Sequence, residues 1–380
     1  MALSIERSSL LGGLGLVQGI VERRTTVPIL GHVLVEPNGS ALSLSATDLE
    51  VGIRTQVACS GKEKSLTLNA RKLFEIVREA EGDEVALTTL DNDWIELKCG
   101  RAKFKMMGLD PRSFPAMPSQ SLGKEAAGGS KKQLKTELVI SADVLAGMID
   151  KTLFAVSPDE ARYNLSGVFV ESSAPGSARM VATDGHRLAM IEREVPGFRM
   201  EGGAIIPRKG LAELRKILDL GGDAEVRLSL EGQLAYLKRG TTEVSMRLVE
   251  GEFPDYRGVI PKQSKYKIAV ARDALLAAIK RAAIFSSERY HGVKFALSSG
   301  LLTVSSTSPE TGEASESLDV DFANEEFAIG FNASYVLQVL GVIPAGASVE
   351  LGLSDDVSPG VVRAPEADSQ YTYVVMPMRL

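Results

Sequence analysis

The chain repeats one pattern of elements three times, and this limits the folds open to it more than any other feature. Three stretches open alike, with an apolar-alternating strand running into a helix start. They are Leu3-Ser4-Ile5 before Ser8, Leu138-Val139-Ile140 before Ser141, and Ile268-Ala269-Val270 before Arg272. Each is followed by a further apolar strand, a cap or turn residue and an amphipathic helix: SLTLNARKLFEIV (65–77), GGAIIPRKGLAELRKIL (202–218) and FAIGFNASYVLQVL (327–340). Ile5 to Ile140 is 135 residues and Ile140 to Val270 is 130, while Asn69 to Pro207 is 138 and Pro207 to Asn332 is 125. Two independent markers thus give one period of about 130 residues, far longer than a solenoid unit and close to the size of a domain. The 380 residues have room for three such copies. Three copies of one domain in a row suggest a protein whose function is its shape.

Within a copy the pattern reads strand, helix, two strands, strand, helix, then two or three strands. The first helix of copy two is expected from Ser141, a plausible cap, to Ala155. Its apolar face holds Val144, Leu145, Met148, Ile149, Thr152 and Leu153. Copy three repeats the stripe with Leu275, Leu276, Ile279, Ala282 and Ala283. The second helices start at Asn69, Pro207 and Asn332; Asn suits an N-cap and Pro the first helical turn. Strands alternate, as in Leu42, Leu44 and Ala46, or Val226, Leu228 and Leu230. The fold class expected is α+β, with two helices lying on antiparallel sheet in each copy. Residues 119–136 are Gly/Ser/Lys-rich without periodicity and read as an exposed linker. A shorter boundary falls near Pro261-Lys262-Gln263-Ser264. The domains expected are therefore 1–120, 137–257 and 264–380.

The composition, 44% apolar and 24% charged, is that of an ordinary water-soluble protein. Cys59 and Cys99 form no metal or redox spacing and fit a reducing compartment. No apolar run approaches the roughly 18 residues needed to span a membrane. Residues 8–21 come nearest, but four glycines interrupt them, and the repeat makes them the weak first helix of copy one. The compartment expected is the cytoplasm. Net charge is −6, which alone argues against a nucleic-acid binder. Its distribution matters more. Lys and Arg gather in the helical stretches (Arg71, Lys72, Arg78; Arg208, Lys209, Arg215, Lys216; Arg272, Lys280, Arg281), whereas acidic residues crowd stretches such as Glu310 to Asp321. Ordinary solvated helix faces explain this, and so does one shared basic face.

The strongest local string is Val181-Ala182-Thr183-Asp184-Gly185-His186-Arg187-Leu188-Ala189. A hydrolase would use Asp184 to orient His186 as base, but no nucleophile motif accompanies the pair. Ala46-Thr47-Asp48-Leu49-Glu50 stands at the matching place in copy one, so Thr-Asp belongs to the repeat and reads as structural. No phosphate-binding GxxxxGK[ST], dinucleotide GxGxxG after a strand, or HExxH is present. With three histidines in all, a histidine metal site is not expected. The ending Val374-Val375-Met376-Pro377-Met378-Arg379-Leu380 is either a last core strand or an adaptable Met-rich surface for a partner's peptide.

VATDGHRLA, RRTTVPIL (23–30), PRKGLAEL (207–214), GEFPDYRGVIP (251–261) and YVVMPMRL (373–380) closely resemble the bacterial DNA polymerase III beta subunits, the sliding clamps. The resemblance runs along essentially the whole chain, in order and with the threefold repeat. Two departures stand out. The 119–136 stretch is longer than usual, and Gly258 stands where members often carry a basic residue beside the peptide cleft.

The resemblance implies a head-to-tail dimeric ring of six domains, with two helices from each lining a hole. Twelve helices about 10 Å apart give a circumference of ~120 Å and a diameter near ~38 Å, leaving roughly 28 Å inside one helix width. A duplex on the order of 20 Å across passes with a layer of water. Basic helices would attract its phosphates without reading sequence. By similarity, Arg24, Arg162, Tyr163, Arg208 and Lys209 are the DNA contacts. The dimer seam would set Phe104 near Ile284 and Phe285, with Arg101 and Lys103 facing Glu310, Glu313 and Glu316. A peptide cleft between copies two and three would be lined by Leu165, Thr183, Gly185, His186, Arg187, Leu188, Pro254, Val259, Tyr335 and Val357. The terminal Val374, Val375, Met376, Pro377, Met378, Arg379 and Leu380 would complete it. The function implied is a processivity factor without catalytic residues, metal or cofactor. Its partners would be the polymerase alpha subunit, the clamp loader and repair proteins carrying linear peptide motifs. A hydrolase using Asp184 and His186, and a scaffold with no DNA role, are the competing readings.

Overall fold

The computed structural model describes residues 2–21, 26–118, 135–159, 161–221, 224–286 and 291–379, with 135–137 described by backbone alone. Among these residues all three copies share one order: strand, helix, four strands, helix, three strands. Copy one starts with β1 (Leu3–Glu6), α1 (Arg7–Val17), β2 (His32–Asn38), β3 (Ala41–Thr47) and β4 (Val51–Ala58). It continues with β5 (Leu66–Asn69), α2 (Ala70–Glu79), β6 (Glu84–Thr89), β7 (Trp94–Cys99) and β8 (Ala102–Met107). Copy two has β9 (Lys135–Ser141), α3 (Ala142–Asp150), β10 (Gly167–Ala174), β11 (Ser177–Thr183) and β12 (Arg187–Glu194). Then come β13 (Gly203–Pro207), α4 (Arg208–Asp219), β14 (Glu225–Glu231), β15 (Leu234–Arg239) and β16 (Thr242–Arg247). Copy three has β17 (Tyr266–Ala271), α5 (Arg272–Ala282), β18 (Gly292–Ser298), β19 (Leu301–Ser308) and β20 (Gly312–Asp319). It ends with β21 (Phe327–Asn332), α6 (Ala333–Val342), β22 (Ser348–Leu353), β23 (Gly360–Ala364) and β24 (Asp368–Val375).

Each copy therefore carries one more strand between its helices than the pattern predicts. In copy three this is β20, Gly-Glu-Ala-Ser-Glu-Ser-Leu-Asp, none of whose residues is buried. It is the edge of its sheet, and an edge strand without an apolar face leaves no hydrophobic period to read.

The helix ends follow from local hydrogen bonding. The Asn69 side chain accepts from the Lys72 amide at 3.0 Å, and Asn332 accepts from the amides of Ser334 at 2.9 Å and Tyr335 at 3.4 Å. Pro207, expected in the first helical turn, is instead the last residue of β13; the Arg208 amide that opens α4 donates to the Ser166 carbonyl at 3.1 Å. The helix expected over 141–155 stops at Asp150, and a short 3-10 turn occupies Leu153–Ala155. There the buried Thr152 hydroxyl donates to the Met148 carbonyl at 2.8 Å. The glycines that weaken α1 have a packing reason at Gly13, where a Cβ would come within 2.8 Å of Leu44 Cδ1 and 3.0 Å of Val57 Cγ1. Without a side chain there, α1 lies directly on β3 and β4.

Two compact units result, and neither coincides with a copy: residues 1–145 with 209–248, and 146–208 with 249–380. The first holds a four-stranded sheet, β1-β6-β7-β8, and an eight-stranded sheet, β5-β2-β3-β4-β16-β15-β14-β9. Copy one's β4 pairs antiparallel with copy two's β16, Ile53 opposite Val244 and Val51 opposite Met246. The second unit holds the eight-stranded sheet β13-β10-β11-β12-β24-β23-β22-β17 and the four-stranded β20-β19-β18-β21. Here copy two's β12 pairs with copy three's β24, Leu188 opposite Val374. Backbone ladders thus join successive copies where a flexible hinge was open to the chain. Leu10, Leu14, Leu42, Leu44 and Ile53 are fully buried in the first unit; Tyr373, Phe295, Ile268 and Leu275 are buried in the second. Each such side chain contributes about 1.5–3 kcal/mol by leaving water.

Candidate functional site

The turn between β11 and β12 organises the second unit's candidate site. Thr183 Oγ1 donates to the Arg187 carbonyl at 2.6 Å and accepts from the Gly185 amide at 3.1 Å. Asp184 Oδ1 accepts from the amides of His186 at 2.9 Å and Arg187 at 3.1 Å. Gly185 sits at φ +87°, left-handed backbone that glycine adopts without strain. The β3–β4 turn of copy one repeats this bond for bond. Thr47 Oγ1 donates to Val51 O and accepts from Leu49 N, while Asp48 Oδ1 accepts from Glu50 N and Val51 N. The shared Thr-Asp is a structural turn. The hydrolase geometry is absent, because Asp184 spends its oxygens on two amides and on Arg187 Nε at 3.0 Å. The His186 ring lies instead beside Tyr335, centroids 6.4 Å apart and planes 20° from parallel.

Arg187, expected to line the cleft, is a buried brace only 7% exposed. Its guanidinium bonds Asp184, the Phe154 carbonyl at 2.6 Å and Gln338 Oε1, and stacks on the Tyr335 ring. Asp184 offsets the cost of burying the charge, and the three acceptors each take one of its nitrogens. Leu165, Thr183, Leu188, Val374 and Val375 are likewise buried, so they back the site from behind. Val374 and Leu188 pack with Val181 and Tyr256, and Phe169, Met190, Phe253 and Ile260 close around them. Facing solvent are Gly185, His186, Pro254, Val259, Val357, Met376 and Arg379, with Tyr335, Pro377 and Met378 half-buried. The Met376 amide donates to His186 O and that of Met378 to Gly330 O, both at 2.8 Å. These two bonds tie the tail to the β11–β12 turn and to β21. Leu380 lies outside the described residues.

Sequence reasoning missed the polar support beneath Tyr256. Its hydroxyl donates to the buried Glu171, which also takes Arg179 at 3.1 Å and Arg257 at 2.7 Å. Arg179 reaches Glu192 at 2.6 Å. Burial opposes the charge of Arg179, but hydrogen bonds with Tyr256 and Glu192 hold its pKa above the ordinary arginine value. Phe253 stacks on Phe169 at 4.9 Å, 6° from parallel. The charged residues of β10 to β12 on one sheet face were the available signal. At the matching junction of β4 with β16 the pairing differs: Gly52 and Ser245 are paired where Leu188 and Val374 pair here. Met117 fills that space, with its Cε 2.6 Å from where a Gly52 Cβ would stand. That junction carries its own cavity, lined by Met117, Pro118, Tyr236, Leu237 and Val244 beside Arg54, Lys238 and Glu243.

The other expected residues distribute as follows. Arg24 lies outside the described residues. Tyr163 is 60% exposed; Arg162 donates to Asp184 O at 3.1 Å and pairs with Asp159 at 3.6 Å. Lys209 is ion-paired with Asp48, whose equivalent Asp184 takes Arg187. On the edge strand β8, Phe104 is half-buried between exposed Arg101, Lys103 and Lys105. Lys103 already pairs with Glu96 at 2.6 Å, which holds the Glu96 carboxyl down at about 2 by hydrogen bonds from Lys103 and Lys98. Ile284 is 72% exposed beside half-buried Phe285. Glu310 and Glu313 are exposed, while Glu316 binds Arg281 at 2.6 Å. Among the described residues no three His, Cys, Asp or Glu side chains gather as a metal site, and no helix is long and apolar enough to cross a membrane.

Sequence models of the DNA polymerase III beta subunit match throughout: the N-terminal domain over residues 1–118, the central domain over 139–255 and the C-terminal domain over 257–379. The beta sliding clamp of Caulobacter vibrioides is 37% identical over the full length of both chains, and that of Escherichia coli 35%. The chain belongs to the DNA polymerase III beta subunit family, the sliding clamps. Solved clamps share the fold over their whole length. A Caulobacter crescentus beta sliding clamp matches with a TM-score of 0.90 at 35% identity. A Pseudomonas aeruginosa clamp bound to griselimycin matches at 0.88 and 35%. The beta clamp is a processivity factor, not the catalytic subunit of the polymerase, and the repeated turn at Asp184 agrees with that.

Proposed function

We propose that two copies of this chain close head to tail into a ring around duplex DNA and that the groove at the β12–β24 junction tethers the polymerase and other partners by short peptides. The observation that carries the ring is the strand bookkeeping. β4, β12 and β20 hold equivalent places in the three copies, as do β8, β16 and β24. β4 pairs with β16 and β12 with β24, which leaves β20 and β8 as sheet edges. Pairing β20 of one subunit with β8 of the other makes a third kind of eight-stranded sheet and closes the set. Carrying over the Ile53–Val244 register sets Phe104 opposite Ala314 and Lys105 opposite Glu313. Ile284 and Phe285 supply the apolar centre, and Arg101, Lys103, Glu310 and Glu316 its charged rim.

The domains in this reading are 1–120, 137–257 and 264–380. Arg24, Arg162, Tyr163, Arg208 and Lys209 meet DNA phosphates; Lys209 exchanges Asp48 for phosphate when DNA is present. The groove takes the alpha subunit, the clamp loader and repair proteins in turn, in the cytoplasm. Imaging of single particles tests the assembly. Closed rings with an open centre are expected, and separate elongated particles at micromolar concentration would overturn it.

A further inference from the structure

The charge around the groove, rather than its apolar floor, sets it apart from a generic peptide site. Val259 and Val357 belong to two segments that both reach the end of β24. The first follows Tyr256, which packs on Val374; the second belongs to the loop leading into Gly360, which pairs with Val375. Both segments are acidic at the surface. Glu252 and Asp255 are exposed on one, Asp355 and Asp356 on the other. The Ser358 hydroxyl donates to Asp355 at 2.8 Å, and the amides of Val357 and Ser358 donate at 3.0 and 2.6 Å; together they hold its carboxyl below the ordinary aspartate value.

The cations around these segments are largely committed elsewhere. Arg257 reaches Glu171 and lies over the Tyr256 ring at 5.0 Å while staying 60% exposed, Arg162 pairs with Asp159, and Arg187 is buried. Lys262 and Arg379 stand against four carboxylates. Between Arg257 and Val259, Gly258 projects nothing: no atom lies within 4 Å of where its Cβ would be, and its backbone is not left-handed.

We infer that the groove selects peptides whose apolar anchors are flanked by Lys or Arg, and that the missing side chain at Gly258 is a determinant of this preference. The inference rests on the peptide-groove reading above. A basic flank meets the carboxylates of both segments, whereas an acidic flank meets like charge with no cation at 258 to receive it.

Fluorescence anisotropy with three peptides tests it, all carrying one shared set of apolar anchors and flanked by two Lys, two Ser or two Asp. The order Lys, Ser, Asp is expected, with about threefold between steps at low ionic strength and convergence as salt screens the rim. Gly258→Arg, which the open site accommodates, narrows or reverses the order. Equal binding of all three peptides, or an order unchanged in Gly258→Arg, overturns the inference and leaves the groove intact. Failure of every peptide to bind overturns the groove reading itself, and the inference with it.

Discussion

The Arg187 guanidinium carbon lies 4.4 Å from the centre of the Tyr335 ring, joining the β11–β12 turn of copy two to helix α6 of copy three. The contact is a cation–π pair shielded from water, and the same guanidinium holds Asp184 and the Phe154 carbonyl. It fixes the orientation of the half-buried Tyr335 ring.

Arg187→Ala leaves Asp184 buried without its partner and should cost about 3 kcal/mol. A lower Tm and loss of peptide binding are expected together. Arg187→Lys should restore little, because an ammonium cannot bond three acceptors in one plane while stacking on a ring. A variant with unchanged Tm would contradict the brace.

Asp368 makes a second link, to Arg193 at 3.1 Å and to Lys151. Burial would raise its carboxyl, but the hydrogen bonds from Arg193 and Lys151 outweigh this and hold it below the ordinary aspartate value. A depressed carboxylate stabilises fully above its unfolded value of about 4 and loses that contribution as pH falls through the folded value. Urea unfolding of the Asp368→Asn variant should therefore show destabilisation near neutral pH and convergence with the parent well below pH ~4. A gap independent of pH would mean that packing, not charge, is lost.

Much of this arrangement was legible in the sequence, and the limits have physical causes. The threefold period, the Asn69 and Asn332 caps and the structural Thr-Asp turn follow from local chemistry. Strand β20 was hidden because an edge strand without an apolar face has no period. Arg187 reads as a surface residue because Asp-Gly marks an exposed turn; only the fold brings Phe154 and Gln338 to it. Lys209 likewise reads as free until Asp48 is placed beside it. The pairing of β4 with β16 joins residues nearly 200 apart, and nothing in a single strand names its distant partner.

At the seam, Ile284→Arg puts a charge where an exposed apolar side chain should meet the Phe104 strand of a second subunit. The loss should be on the order of 2 kcal/mol or more per seam. Sedimentation at micromolar concentration should show monomer. An unchanged dimer would move the seam elsewhere.

Removing Met376 to Leu380 deletes the two backbone bonds to His186 and Gly330 and the exposed Met376 and Arg379, but spares the buried Val374 and Val375. Peptide affinity should fall below detection by anisotropy while the sedimentation coefficient of the dimer stays put. Retained affinity would show that the tail is not part of the groove.

The central claim is topological: the protein stays on DNA because it surrounds it, with direct attraction to the duplex weak and sensitive to salt. The measurement that tests it most directly is retention of loaded protein on a nicked circular plasmid, before and after one cut that makes the plasmid linear. Stable retention on the circle and rapid loss from the cut DNA are predicted, because a ring slides off free ends. Equal retention on both would mean that the protein grips the DNA surface, and would contradict the account.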